Sequence, residues 1–287
     1  MSSANWPRWL GALVVALVAC FTMVAAARAQ AQQPATAAPS AKPQESTAAS
    51  APANEPAASA APAPAALPSA QVIFENYVKA IGGKEAWQKL NSRVSRGTVR
   101  IEGIDGTGTI LAYERAPNQS LSTITLANGA VVRDGFDGKA GWEQDPNGAV
   151  KTVEGARAAD IRVASDFYFE VDFDKAYPHA RTIGQRTADG RLAYVVEASA
   201  PGGTLRWLYF DAETWLRFRT DIFENALSPS PTTIERFDEY KDVDGIKYPY
   251  KGSVNGTGPS ITFHFTVVKH NVTVTDDEVA RPANAAN

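Results

Sequence analysis

The chain has 287 residues, with 28 Lys and Arg against 31 Asp and Glu and a net charge of −3. This mild negative balance argues against a nucleic-acid partner, which requires a basic face. A single cysteine, Cys20, excludes a disulfide framework and a cysteine-based zinc site.

Residues 1–29 read as an export signal. Arg8 and the amino terminus supply positive charge, Leu10 to Ala27 runs without a charge, and Ala27-Arg28-Ala29 gives an A-x-A cleavage pattern. Two other readings stay open. Leu17-Val18-Ala19-Cys20 has the form of a bacterial lipobox, which would make Cys20 a lipidation site and tether the protein to a membrane. The third is an uncleaved anchor, at the low edge of a bilayer-spanning length. All three place the folded part outside the cytoplasm, in the periplasm or tethered and facing it.

Residues 30–68 read as a disordered linker. From Gln30 to Ala70 there are 17 Ala and 8 Pro, and no Ile, Val, Phe, Tyr or Trp. Nothing bulky and apolar is available to offset ordering entropy, and the prolines interrupt an alanine helix.

One folded domain is expected over residues 69–287. Ser69 is a candidate N-cap, and Ile73, Tyr77 and Ile81 recur at helical spacing. Gly82-Gly83 stops that helix, and Lys84 to Leu90 forms a second short one. After Asn91 the period changes to two. Asn-Gly or Asp-Gly pairs occur at 105, 128, 134, 137, 147, 189, 244 and 255, the signature of tight hairpins. The strand-like runs among them number ten to twelve. In the last run, Ile261, Phe263, Phe265 and Val267 are expected on one face and Thr262, His264, Thr266 and His270 on the other. Glu154 to Phe169 is expected as one amphipathic helix, with Ile161, Ala164, Phe167 and Tyr168 on one side. The acids that follow it, Glu170, Asp172 and Asp174, read as a solvated loop. So many strands must curl or split. The fold class is therefore mainly β with helices (α+β), a strongly curved antiparallel sheet with helices packed on its concave side.

The chemistry-bearing patterns are sparse. No G-x-S-x-G, S-x-x-K, H-E-x-x-H or P-loop pattern occurs, and no cofactor motif. His264 and His270 lack further ligands for a metal site. The aromatic residues carry the most weight, because apolar ligand pockets are lined by such side chains. The candidate cavity lining is Phe167, Tyr168, Trp207, Ile261, Phe263 and Phe265.

Four segments together resemble a known group. They are Tyr77-Val78-Lys79-Ala80-Ile81-Gly82-Gly83, Phe136-Asp137-Gly138-Lys139-Ala140-Gly141-Trp142-Glu143-Gln144-Asp145-Pro146, Leu208-Tyr209-Phe210-Asp211-Ala212-Glu213-Thr214, and Tyr240-Lys241-Asp242-Val243-Asp244-Gly245-Ile246-Lys247-Tyr248-Pro249. The set resembles bacterial outer-membrane lipoprotein-sorting proteins, the LolA-like group, and is similar in scheme to the LppX and LprG lipid carriers. The resemblance covers nearly all of residues 70–280. It implies an unclosed antiparallel β-barrel with an apolar concave face, helices that plug it, and acyl chains of a lipid or lipoprotein bound between them. It carries no catalytic residues over; a monomer without cofactors is expected. The family's arginine has three candidates on early strands, Arg100, Arg115 and Arg133. An RseB-like signalling module without a transported ligand is the alternative function, and an enzyme the remaining one.

Overall fold

The computed structural model describes residues 66–283; the signal, Cys20 and most of the linker lie outside that range. The first helix, α1 (Ala70–Ala80), begins where the cap was expected: the Ser69 side chain accepts a hydrogen bond from Val72 N at 3.3 Å. Its buried residues include Ile73, Phe74 and Tyr77. A short α2 (Lys84–Trp87) follows and buries Trp87.

Among the described residues there are thirteen strands, in one antiparallel sheet. The first group is β1 (Ser92–Ile101), β2 (Gly108–Arg115), β3 (Gln119–Thr125), β4 (Val131–Asp137), β5 (Gly141–Gln144) and β6 (Val150–Thr152). The second is β7 (Arg181–Ala188), β8 (Arg191–Ala198), β9 (Leu205–Asp211), β10 (Arg217–Phe223), β11 (Thr233–Val243), β12 (Ile246–Gly256) and β13 (Ile261–His270). The order β6-β5-β4-β3-β2-β1-β13-β12-β11-β10-β9-β8-β7 joins the groups through the β1–β13 pair and leaves β6 and β7 as free ends, so the sheet does not close. The expected runs matched twelve strands. The extra one, β6, has three residues with Lys151 and Thr152 exposed, too short and too polar to show a period.

Six of the eight turn pairs sit between strands. Asp189-Gly190 and Asp244-Gly245 have positive φ at both residues (47° and 78°; 53° and 84°), as two-residue hairpins of this hand require. Two pairs lie within strands instead. Gly135 in β4 is there for space: a Cβ would sit 2.9 Å from the Trp142 ring and 2.3 Å from Ser120 O.

Register assigns the faces. Arg93, Ser95, Val99 and Ile101 of β1 share a side with Phe263 and Ile261 of β13, and this inner face takes the helices. Its apolar side chains form two large clusters and a small one, Phe136 with Ile161. One large cluster, at the hairpin end, is built from sheet residues such as Ile124, Val132, Val254 and Ile261. The other packs α1 and α2 on β8 and β9 through Val196, Leu208 and Phe210. On the outer face the C-terminal segment crosses β2 to β4, buries Val274 and Val279, and is held by Arg115, which donates to Val274 O at 2.8 Å and to Asp276 at 2.6 Å.

Two expectations need correction. The central helix is shorter: α3 (Gly155–Ala164) ends before Ser165, and Phe167 lies in a turn whose N–H donates to Pro117 O at 2.9 Å. A 3-10 turn (Phe169–Val171) and α4 (Phe173–Ala176) complete the insert. A helix continuing through Phe167 could not place Phe167, Phe169 and Phe173 all in the interior, where they are buried. The alternation of β13 also slips. Val267 is exposed and His270 is buried, because the β1–β13 register shifts between Arg96 and Gly97. His264 and His270 are therefore on opposite faces, His264 near Glu239 (3.4 Å) and His270 near Asp244 (3.0 Å).

Candidate functional site

The insert between β6 and β7 meets the inner face of the sheet, and a small cavity of about 40 Å³ lies between them. Its wall includes Tyr77 of α1, Trp87 of α2, Phe167 and Phe169 of the insert, and Phe237, Phe263 and Phe265 of the sheet. Phe263 and Phe265 stand 5.1 Å apart, centroid to centroid. Gly252 makes room for the first of them: a Cβ there would fall 2.5 Å from the Phe263 ring.

The structure thus brings Phe167, Phe263 and Phe265 to one cavity. Tyr168 packs edge-on to Phe167 at 5.3 Å, and its hydroxyl donates to Leu90 O at 3.0 Å. Ile261 lies in the hairpin-end cluster rather than at the cavity. Trp207 is on the outer face, 4.8 Å from Phe223 and beneath the Arg186 guanidinium at 4.3 Å.

The same cavity holds charges that local sequence pattern did not reveal. Arg93 of β1 pairs bidentately with Glu114 of β2, at 2.5 and 2.6 Å, and lies 4.2 Å over the Tyr248 ring. Arg217 of β10 donates to Glu170 of the insert at 2.7 Å and lies 4.3 Å over Phe237. Glu170 also accepts from the Tyr77 hydroxyl at 2.5 Å, so one carboxylate joins α1, the insert and the sheet. Burial, and then the Glu170 charge, push the Tyr77 hydroxyl well above its ordinary pKa. Glu170 is therefore no part of a solvated loop, and Asp172 likewise pairs with Lys84 of α2. Of the arginines weighed on the early strands, Arg100 is exposed and Arg115 serves the C-terminal segment. Arg93, not among them, is the early-strand arginine that lines the cavity.

Further along the inner face, Asp134 and Glu235 are buried carboxyl groups. Burial raises both well above the usual carboxylate range, with the Glu143 charge adding for Asp134 and Arg206 and Arg217 opposing for Glu235. No group of three or more His, Cys, Asp and Glu suited to a metal ion occurs among the described residues.

No family model and no curated protein matches the sequence. Solved structures do. A LolA superfamily protein from Nitrosomonas europaea superposes with a TM-score of 0.51 at 12% identity, over 75% of this chain and 99% of that one. A DUF1329 family protein from Desulfovibrio piger gives 0.51 at 15% identity, over 73% and 96%. An outer membrane lipoprotein-sorting protein domain from Vibrio parahaemolyticus gives 0.50 at 10% identity, over 72% and 94%. The unclosed sheet, the helices on its inner face and these superpositions agree: the chain has the LolA-like fold.

Proposed function

We propose that this is an exported cell-envelope protein that binds acyl chains of a lipid or lipoprotein between its sheet and the helices of its inner face. The observation that carries the reading is the aromatic cavity, which lies where insert and sheet meet. The apolar run Leu10 to Ala27 supports export. Binding by burial needs no acid–base machinery, so the reading assigns no catalytic residue.

Energy and size set the mechanism. Burying an acyl chain yields roughly 0.8 kcal/mol per methylene, before the costs of association. A pocket for a whole ligand typically has a volume of about 300–1,000 Å³, and this one is about 40 Å³. Uptake therefore separates the insert from the sheet, breaking the Glu170 contacts to Arg217 and Tyr77. Release reverses the step when a partner accepts the chain.

A second reading, a non-catalytic interaction or sensor module, is favoured by the same small volume, since a filled interior needs no ligand. A fluorescent fatty-acyl probe separates the two. The carrier reading expects saturable one-to-one binding with energy transfer from tryptophan, Trp87 at the cavity wall contributing most, so that transfer is reduced in Trp87→Phe while binding remains. An absence of saturable binding at any probe concentration below micelle formation contradicts it.

A further inference from the structure

The cavity is not lined by apolar groups alone. Arg93, Arg217 and Lys247 face it, and so do Glu114, Asp166 and Glu170. The Asp166 side chain is wetter, 36% exposed and 3.8 Å from Lys175. The other two carboxylates form the pairs with Arg93 and Arg217, whose side chains are only 6% and 4% exposed. Two ion pairs of opposite origin, one within the sheet and one between sheet and insert, therefore face one cavity beside aromatic rings.

These charges constrain what enters. An acyl chain alone has nothing to exchange with them. A group of net charge would leave an uncompensated charge in a water-poor interior, where that is costly. A zwitterion avoids both problems. Its anion takes guanidinium N–H donors, which suit phosphate geometry. Its ammonium takes the displaced carboxylates and the faces of rings such as Tyr248 and Phe237. Partners are exchanged, and the charge of the cavity is unchanged.

We propose that the cavity is a subsite for a zwitterionic lipid headgroup, a phosphate joined to an ammonium, with the acyl chains running on between sheet and helices. This rests on the acyl-binding reading above and adds headgroup selectivity to it.

The test uses the purified, delipidated chain and four short-chain lipids with identical acyl groups, kept below their critical micelle concentrations. The heads are phosphoethanolamine, phosphocholine, phosphoglycerol and a bare glycerol hydroxyl. The expected result is that the two zwitterions bind at least about tenfold more tightly than phosphoglycerol or diacylglycerol. Glu170→Gln leaves the lining one positive charge in excess and moves the preference toward phosphoglycerol by about the same factor. Lys247→Gln, outside both pairs, moves it the opposite way and serves if the first variant does not fold. Equal affinities for all four heads, or phosphoglycerol bound best by the wild type, overturn the headgroup assignment and leave acyl binding standing. Failure of all four to bind overturns both.

Discussion

Glu170 ties the insert to the sheet, and removing it has a calculable cost. Its carboxylate lies 2.7 Å from Arg217 Nη2, with side chains 13% and 4% exposed. At an effective dielectric of about 20, the Coulomb attraction at that distance is about 6 kcal/mol, and desolvation of the two groups offsets much of it. Breaking a buried pair by removing one partner costs about 3–5 kcal/mol, because the other charge stays buried. With a urea m-value of about 2 kcal/mol per molar, Glu170→Ala lowers the unfolding midpoint by roughly 1.5–2.5 M. The assay is urea unfolding followed by tryptophan fluorescence and far-UV circular dichroism, whose coincidence licenses the two-state treatment. The double variant Glu170→Ala/Arg217→Met should be no less stable than either single one, a coupling of about 2 kcal/mol or more. A Glu170→Ala midpoint within about 0.3 M of wild type, or strictly additive losses in the double variant, would refute the reasoning.

Other outcomes follow from the same contacts. Phe173 of α4 touches the rings of Phe74, Tyr77, Phe169, Tyr177 and Phe210, so Phe173→Ala costs about 3–5 kcal/mol of stability in the same denaturation assay; a loss under about 1 kcal/mol would mean that the insert is not part of the cooperative core. Glu235 is protonated in the fold at pH values where the unfolded chain ionises it, because its folded pKa is raised. The stability it contributes is complete below the unfolded value of about 4.3 and is lost as pH rises through the folded value. Glu235→Gln therefore flattens the decline of stability that begins above about pH 4, and an unchanged slope contradicts the assignment. Val279 anchors the C-terminal segment at 1% exposure, so Val279→Asp costs about 2–4 kcal/mol, and amide exchange measured across β2 to β4 should rise with it.

Much of this fold was legible because its signals are local. The Ser69 cap, the aspartate-glycine hairpins and the period of two each depend on a few neighbouring residues. The failures share a cause in tertiary context. The slip in β13 is an extra residue, Thr266, which is skipped where Arg96 and Gly97 of β1 pair with Val267 and Phe265; it inverts the alternation beyond it, so Val267 and His270 change sides, and only the pairing with β1 reveals it. The insert ended its helix early to bury Phe167, Phe169 and Phe173. At the cavity, three aromatic residues were found by type and spacing. The ion pairs were not, because Glu170 meets Arg217 across 47 residues and Tyr77 across 93. Trp207 shows the limit of residue type: its aromatic neighbours on β9 and β10 lie on the outer face, and only sheet register reveals that.

The central claim is that the inner face holds acyl chains. Native mass spectrometry of the protein isolated from a bacterial periplasm, repeated after organic extraction, tests it most directly. The account predicts a stoichiometric acylated species that extraction removes and added lipid restores. A clean mass of protein alone, unchanged by added lipid, would contradict it.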